Sequence, residues 1–406
     1  MKPRFIASIA ALDVKALFKR FFTCALFISI LTIPLARIQI YPKAMAVLIF
    51  LTALYIILFK KARAFSDILF LYKDLIALTA TLALCMIIST LSNGVTSFYS
   101  WDGVYQVIFV HFLGLIAMLF FYQEGFFGKI GKNLIFFFLL ISLSLELIVG
   151  FGQMIFGLNL IKDVFGSLQS GLTGTTINRN IFGFYMALGA ILTLIAIISY
   201  REMLKTRFLV LLTLFFTALL FSYSRASWLF VFVFALSCMV VFFKRIQKRD
   251  VSLFLFIVLL FAAAFLFSPS LGDRFVSMLE GESSNRFEIW QTTLTLINEK
   301  LFLGHGVRNF DYELTGAYFP HNFILDILYS AGILGFCVSA AILILTCKEI
   351  VKTNLLYLPL FFSIFAAMQF DHDITSRRVL SMLMLFAFFI FSKRVDRQSV
   401  KNQQKT

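Results

Sequence analysis

Charge is scarce in this chain. Asp, Glu, Lys and Arg make up 14% of its 406 residues, against 60% hydrophobic and 17% aromatic. A soluble globular domain carries about 25% charged residues, and the mean hydropathy here is +0.92, so the composition specifies a polytopic membrane protein. Cysteine is sparse as well: Cys24, Cys85, Cys238, Cys337 and Cys347 lie in or beside apolar runs without CxxC spacing. They read as small core residues, not as a disulfide framework or zinc site. Histidine occurs only 4 times, His111 falls inside an apolar run, and there is no HExxH, which disfavours a divalent-metal mechanism. No small-residue cleavage site follows the basic N-terminal segment, so the first apolar run is expected to be a retained helix. No internal repeat is evident.

What is present is a series of apolar runs, each close to the roughly 20 residues that cross a bilayer. About twelve are expected, over 21–36, 44–59, 75–92, 104–121, 133–152, 181–200, 208–223, 226–243, 251–267, 323–345, 355–370 and 379–392. Cytoplasmic loops retain lysine and arginine, and most of the 36 basic residues fall on one side when both termini are placed inside. The net charge of +15 is then inner-face charge suited to anionic lipid, and no basic patch remains for nucleic acid. The expected organisation is all-α: residues 1–267 with nine membrane helices, a large outer (periplasmic) loop over 268–322, and three more helices and a cytoplasmic tail over 323–406.

Three outer segments are too polar for membrane: 158–180, 268–322 and DHDITSRR at 371–378. In the second, SSNRFEIWQTTLTLINEK predicts an amphipathic helix. Asn285 with Glu288 forms a capping-box pattern, and Phe287, Trp290, Leu294, Ile297 and Leu301 recur at helical spacing. The glycines of FLGHGVRNF, 302–310, mark a turn that reads as a flexible connector.

Ionisable residues at the outer boundary are costly unless paired or functional. Arg225, at the tip of the hairpin FSYSRASWLF, suits either an arginine reaching outer headgroups or a guanidinium binding a diphosphate in bidentate fashion. Arg286 opens the amphipathic helix, either as a solvated charge or beside an anion drawn to the free N–H groups. His321 follows Pro320, which fits a first helical turn; its ring is either an interface residue or a proton acceptor near neutral pH. Asp326 shares a helix face with Asn322, and either orients Asn322 or His321 or bonds a neighbouring helix. Ala331 and Gly335 permit close helix packing. Glu146, deep in the fifth run, and His305 have no assigned role.

Taken in order, SYSRASWL, SNRFEIWQ with FLGHGVRNF downstream, and PHNFILDILYSAGILGF resemble the O-antigen ligase and polymerase superfamily of bacterial inner-membrane glycosyltransferases. By motif the resemblance covers 165–345. It implies transfer of a glycan from undecaprenyl diphosphate to a hydroxyl at the periplasmic face, with no nucleotide sugar, metal or other cofactor. It implies that Arg225 and Arg286 bind the lipid-linked diphosphate and that His321, before Asn322, is the essential histidine. Asn180, in TTINRNIFGFYMALG, matches a frequent asparagine before a span. Asn322, Asp326, Arg308 and Arg377 are possible supporting residues.

The acceptor separates two readings. A ligase passes polymer to lipid A-core, and a polymerase extends another lipid-linked repeat; one long late loop favours the ligase. A polysaccharide or lipid transporter would instead show broken helices and paired charges near the midplane, whereas the ionisable residues here cluster at one face.

Overall fold

The structure is a computed structural model. It describes residues 14–33, 40–127, 133–156, 171–176, 178–199, 205–243, 286–310, 312–315, 317–371 and 377–403, with isolated positions between 252 and 276. Among the described residues there are helices and no strand. In chain order they are α1 (Val14–Leu31), α2 (Ile40–Leu58), α3 (Ala62–Leu71), α4 (Lys73–Ser92), α5 (Phe98–Gln123), α6 (Asn133–Phe156), α7 (Arg179–Ser199), α8 (Lys205–Phe221) and α9 (Arg225–Phe242). After these come α10 (Arg286–Glu299), the single turn α11 (Tyr312–Thr315), α12 (Phe323–Thr353), α13 (Tyr357–Asp371) and α14 (Arg377–Gln403).

About twelve spans were expected; among the described residues 7 helices are long and apolar enough to cross a membrane, and α8 and α13 are shorter apolar helices. The run 21–36 ends as α1 at Leu31, charge enters α14, and the expected span over 251–267 falls largely outside the described residues. The short helix α3 was not anticipated.

Helix α7 is the most enclosed of the spans, packed against α6, α8 and α9. Small residues permit this: a Cβ at Gly189 would meet the Phe215 ring at 2.4 Å, and one at Gly183 would meet Ser222, Ser224 and Ser227 within 2.8 Å. Helix α9 also runs along α13, and α12 along α4.

Two helices depart from regular geometry. Helix α5 passes through a π-helical segment, Gln106–Phe112, where His111 Nδ1 donates to the Gln106 carbonyl at 2.6 Å. Helix α12 breaks at Gly332 (φ 65°, ψ −168°), a conformation open essentially to glycine alone. The turn 302–310 docks into the break. His305 N–H donates to the Tyr329 carbonyl (2.6 Å), Ile333 N–H to the Leu301 carbonyl (2.8 Å), and Ser89 of α4 bonds the Ser330 carbonyl (2.7 Å). FLGHGVRNF is therefore a fixed insert that satisfies a broken helix, not a loose connector. A Cβ on Gly304 would strike the Tyr329 carbonyl at 2.5 Å and one on Gly332 the Phe302 carbonyl at 2.2 Å.

The end of the bundle holding the last turn of α12 is tied by charge. Arg394 binds both oxygens of Asp74 (2.8 and 2.9 Å) and Glu349 (3.0 Å), and Arg397 holds the other Glu349 oxygen at 2.8 Å.

Candidate functional site

At the opposite end of α12, three structures carry the residues singled out in the sequence. The first is the hairpin between α8 and α9. Tyr223 takes a positive φ of 54°, extended Ser224 follows, and α9 begins at Arg225. Ser222, Ser224 and Ser227 are buried; the Ser224 and Ser227 hydroxyls are 2.8 Å apart, and Ser227 donates to the Asn180 carbonyl at 3.3 Å. These bonds fix half-buried Arg225 as the first residue of its helix, beside the start of α7.

The second is the segment 171–176, held by α6. Buried Glu146 accepts from the Thr175 N–H and hydroxyl, both at 2.7 Å. Two turns further along, Gln153 accepts from the N–H groups of Thr173 (3.1 Å) and Gly174 (2.9 Å) and donates to the Gly174 carbonyl. Glu146 therefore clamps the loop leading to α7. The carboxylate is matched by two donors, which is what makes its burial tolerable. Asn178 Oδ1 then accepts from Asn180 N–H at 2.8 Å, so Asn180 sits in the first turn of α7, not ahead of it.

The third is the head of α12. Asn322 is the N-cap, its Oδ1 accepting from Ile324 N–H (3.0 Å) and Leu325 N–H (3.1 Å), and its amide donates to the Gln369 carbonyl near the end of α13 at 3.4 Å. The expectation that Pro320 and His321 occupy the first helical turn is corrected: both precede the cap, and His321 adopts φ 55°. Its ring packs on Phe319 with centroids 4.2 Å apart. Trp290 Nε1 donates to the Pro320 carbonyl at 2.9 Å and the Trp290 ring meets Phe370. Helix α10 and the end of α13 thus hold the Pro-His-Asn segment from two sides. Asp326 is buried and accepts from Ser330 at 3.3 Å, while Asn322 is occupied by its cap.

Helix α10 forms where the periodicity placed it, with Arg286 as its first described residue. Its inward face is Ile289, Thr293 and Ile297; Phe287 and Leu294 point outward, contrary to the expected stripe. Asn285 lies outside the described residues. Arg308, at φ 49°, pairs with Asp102 at 2.8 Å over the Tyr99 ring, and His305 stacks on Tyr329 with Nε2 bonded to the Leu296 carbonyl at 2.7 Å. These two pin the insert to α5, α10 and α12. Arg377 is the first described residue of α14.

A pattern missed in the sequence now stands out. Helices α7 and α9 each begin with an arginine, Arg179 and Arg225. Unsatisfied N–H groups at a helix start favour an anion, and an arginine in the same turn adds a cation for it. The signal for Arg179 was available in Asn178, a good capping residue immediately before it.

Below the head of α12 lies an apolar cavity of about 240 Å³ among α4, α5, α12, α13 and α14, lined from Phe323 and Met368 at the His321 end to Thr346 and Phe391 at the other. Among the described residues no cluster of three or more His, Cys, Asp or Glu could hold a metal. The closely spaced Asp371 and Asp373 are separated by His372, and residues 372–376 lie outside the described residues.

No curated protein matches the chain. Residues 208–340 match the family model described as O-antigen ligase, a segment that contains Arg225, Arg286, Arg308, His321, Asn322 and Asp326. Over that segment, about a third of its length, the chain is similar to the O-antigen ligase family.

Proposed function

We propose that the chain is an O-antigen ligase, an inverting, metal-independent glycosyltransferase. It moves O-antigen polysaccharide from undecaprenyl diphosphate to a sugar hydroxyl of lipid A-core, at the periplasmic face of the inner membrane, with both termini cytoplasmic. The observation that supports this most is the head of α12: His321 is held outside the helix by Asn322, Pro320 and Trp290, next to an apolar cavity that begins at Phe323.

In this reading the polyprenyl chain lies along apolar helix surface and its diphosphate meets Arg225 and Arg286. The acceptor hydroxyl oxygen attacks the anomeric carbon as the bond from that carbon to the diphosphate oxygen breaks. His321 takes the hydroxyl proton, and undecaprenyl diphosphate departs with its charge met by the guanidinium groups and helix N-termini. One displacement inverts the anomeric configuration. Asn322 positions His321, and Asn180, Arg308 and Arg377 support the surrounding backbone and charge.

The break in α12 would also suit a transporter, but its freed backbone groups are taken by the 302–310 insert. Deleting the gene and running lipopolysaccharide on a gel tests the proposal. Loss of the whole ladder is expected; a remaining core plus one repeat would identify a polymerase instead.

A further inference from the structure

A second groove lies between α12 and α13, at the end of α12 away from His321. It encloses about 490 Å³, and its walls include Ile344, Val351, Phe361 and Phe362. Ile344, Val351 and Phe362 are exposed at 56%, 59% and 44%, so the groove is open at the surface of the bundle. Lys348 and Lys352, four residues apart on one helix face, also line it. Among the described residues neither lysine has an ion-pair partner. Glu349 lies between them in sequence, but its two oxygens are taken by Arg394 and Arg397 and it does not neutralise them.

We propose that this groove binds an anionic glycerophospholipid of the inner leaflet, an acyl chain against the apolar wall and the phosphate on Lys348 and Lys352. Basic pockets between membrane helices on the cytoplasmic side recognise anionic headgroups, each lysine near the surface adding to the attraction. The charge complementarity selects an anion, and position separates it from the glycan donor. Phe323 and Lys348 are 25 residues apart on α12, at most about 37 Å along a helix that breaks at Gly332, close to the thickness of a bilayer, so in the proposed function the diphosphate handled at His321 belongs to the other leaflet.

The test uses the purified full-length chain in detergent, titrated with phosphatidylglycerol or phosphatidylethanolamine and read by native mass spectrometry. Wild type is expected to prefer phosphatidylglycerol by about 30-fold. Lys348→Gln with Lys352→Gln should bring the two lipids to near parity at unchanged Tm. Val351→Trp, which fills the groove and leaves both lysines, should weaken retention of both lipids. Equal retention by wild type, an undiminished preference in the lysine variant, no effect of Val351→Trp, or retention of undecaprenyl diphosphate in preference to phospholipid would overturn the proposal.

Discussion

The two ends of the bundle use arginine differently. At the end away from His321, Arg394 and Arg397 are enclosed by Asp74 and Glu349 in direct ion pairs, and the helices there are regular. At the His321 end Arg225 begins a helix and Arg286 is the first described residue of α10, and the backbone departs from regular geometry. Three of the four non-glycine residues with positive φ among the described residues, Tyr223, Arg308 and His321, belong to this end. Such backbone costs about 1–3 kcal/mol per residue and persists where the surroundings over-determine it. Here the surroundings are the Asn322 cap, the Trp290 bond and the 302–310 insert. One end secures the fold, and in the proposed function the other holds side chains in place for a ligand.

Substitutions can break that contrast. The largest effect is expected at His321: His321→Ala should lower transfer by about 10²–10⁴-fold while the protein remains inserted and abundant, measured as polymer on acceptor lipid against protein level. Glu349→Ala should do the opposite, destabilising the chain by about 3–5 kcal/mol through the charges it leaves behind, with transfer per folded molecule preserved; thermal unfolding in detergent reads it.

Gly332→Ala bridges the two ends. It strains the break in α12 by about 1–3 kcal/mol and should lower both Tm and transfer, because the insert that seats on the break also leads to His321. Arg225→Lys and Arg286→Lys keep charge and lose the planar fork, so each should cost on the order of tenfold in transfer at unchanged Tm; near-full activity in both would remove the diphosphate-binding role. The smallest effect is expected from Asn322→Ala, about 1 kcal/mol for the lost cap, visible in Tm and in weaker positioning of His321.

Much of the fold was legible because hydrophobic runs and membrane helices share one cause. The presence of helix α10 and the hairpin at Arg225 could be read from local spacing. The face of α10 could not, because Ile289, Thr293 and Ile297 are selected by packing on other helices and not by local polarity. Gly332 sits in an apolar run where it resembles an ordinary packing residue, and only the docked insert shows that its backbone turns. Glu146 had no readable role because its partner Thr175 lies 29 residues away, and the pairing of Arg308 with Asp102 spans 206. Long-range partners leave no local pattern. For His321 the residue type was readable, but its place outside the helix was not, since Pro320 fits a helix start equally well.

Reconstitution tests the central claim most directly. The purified chain in vesicles is given undecaprenyl-diphosphate-linked polymer and lipid A-core, and the glycolipid is analysed for mass and anomeric configuration. The account predicts polymer-bearing acceptor lipid with an inverted linkage, formed in the presence of a metal chelator and absent with His321→Ala. A retained configuration, a requirement for divalent metal, or equal product from His321→Ala would contradict it.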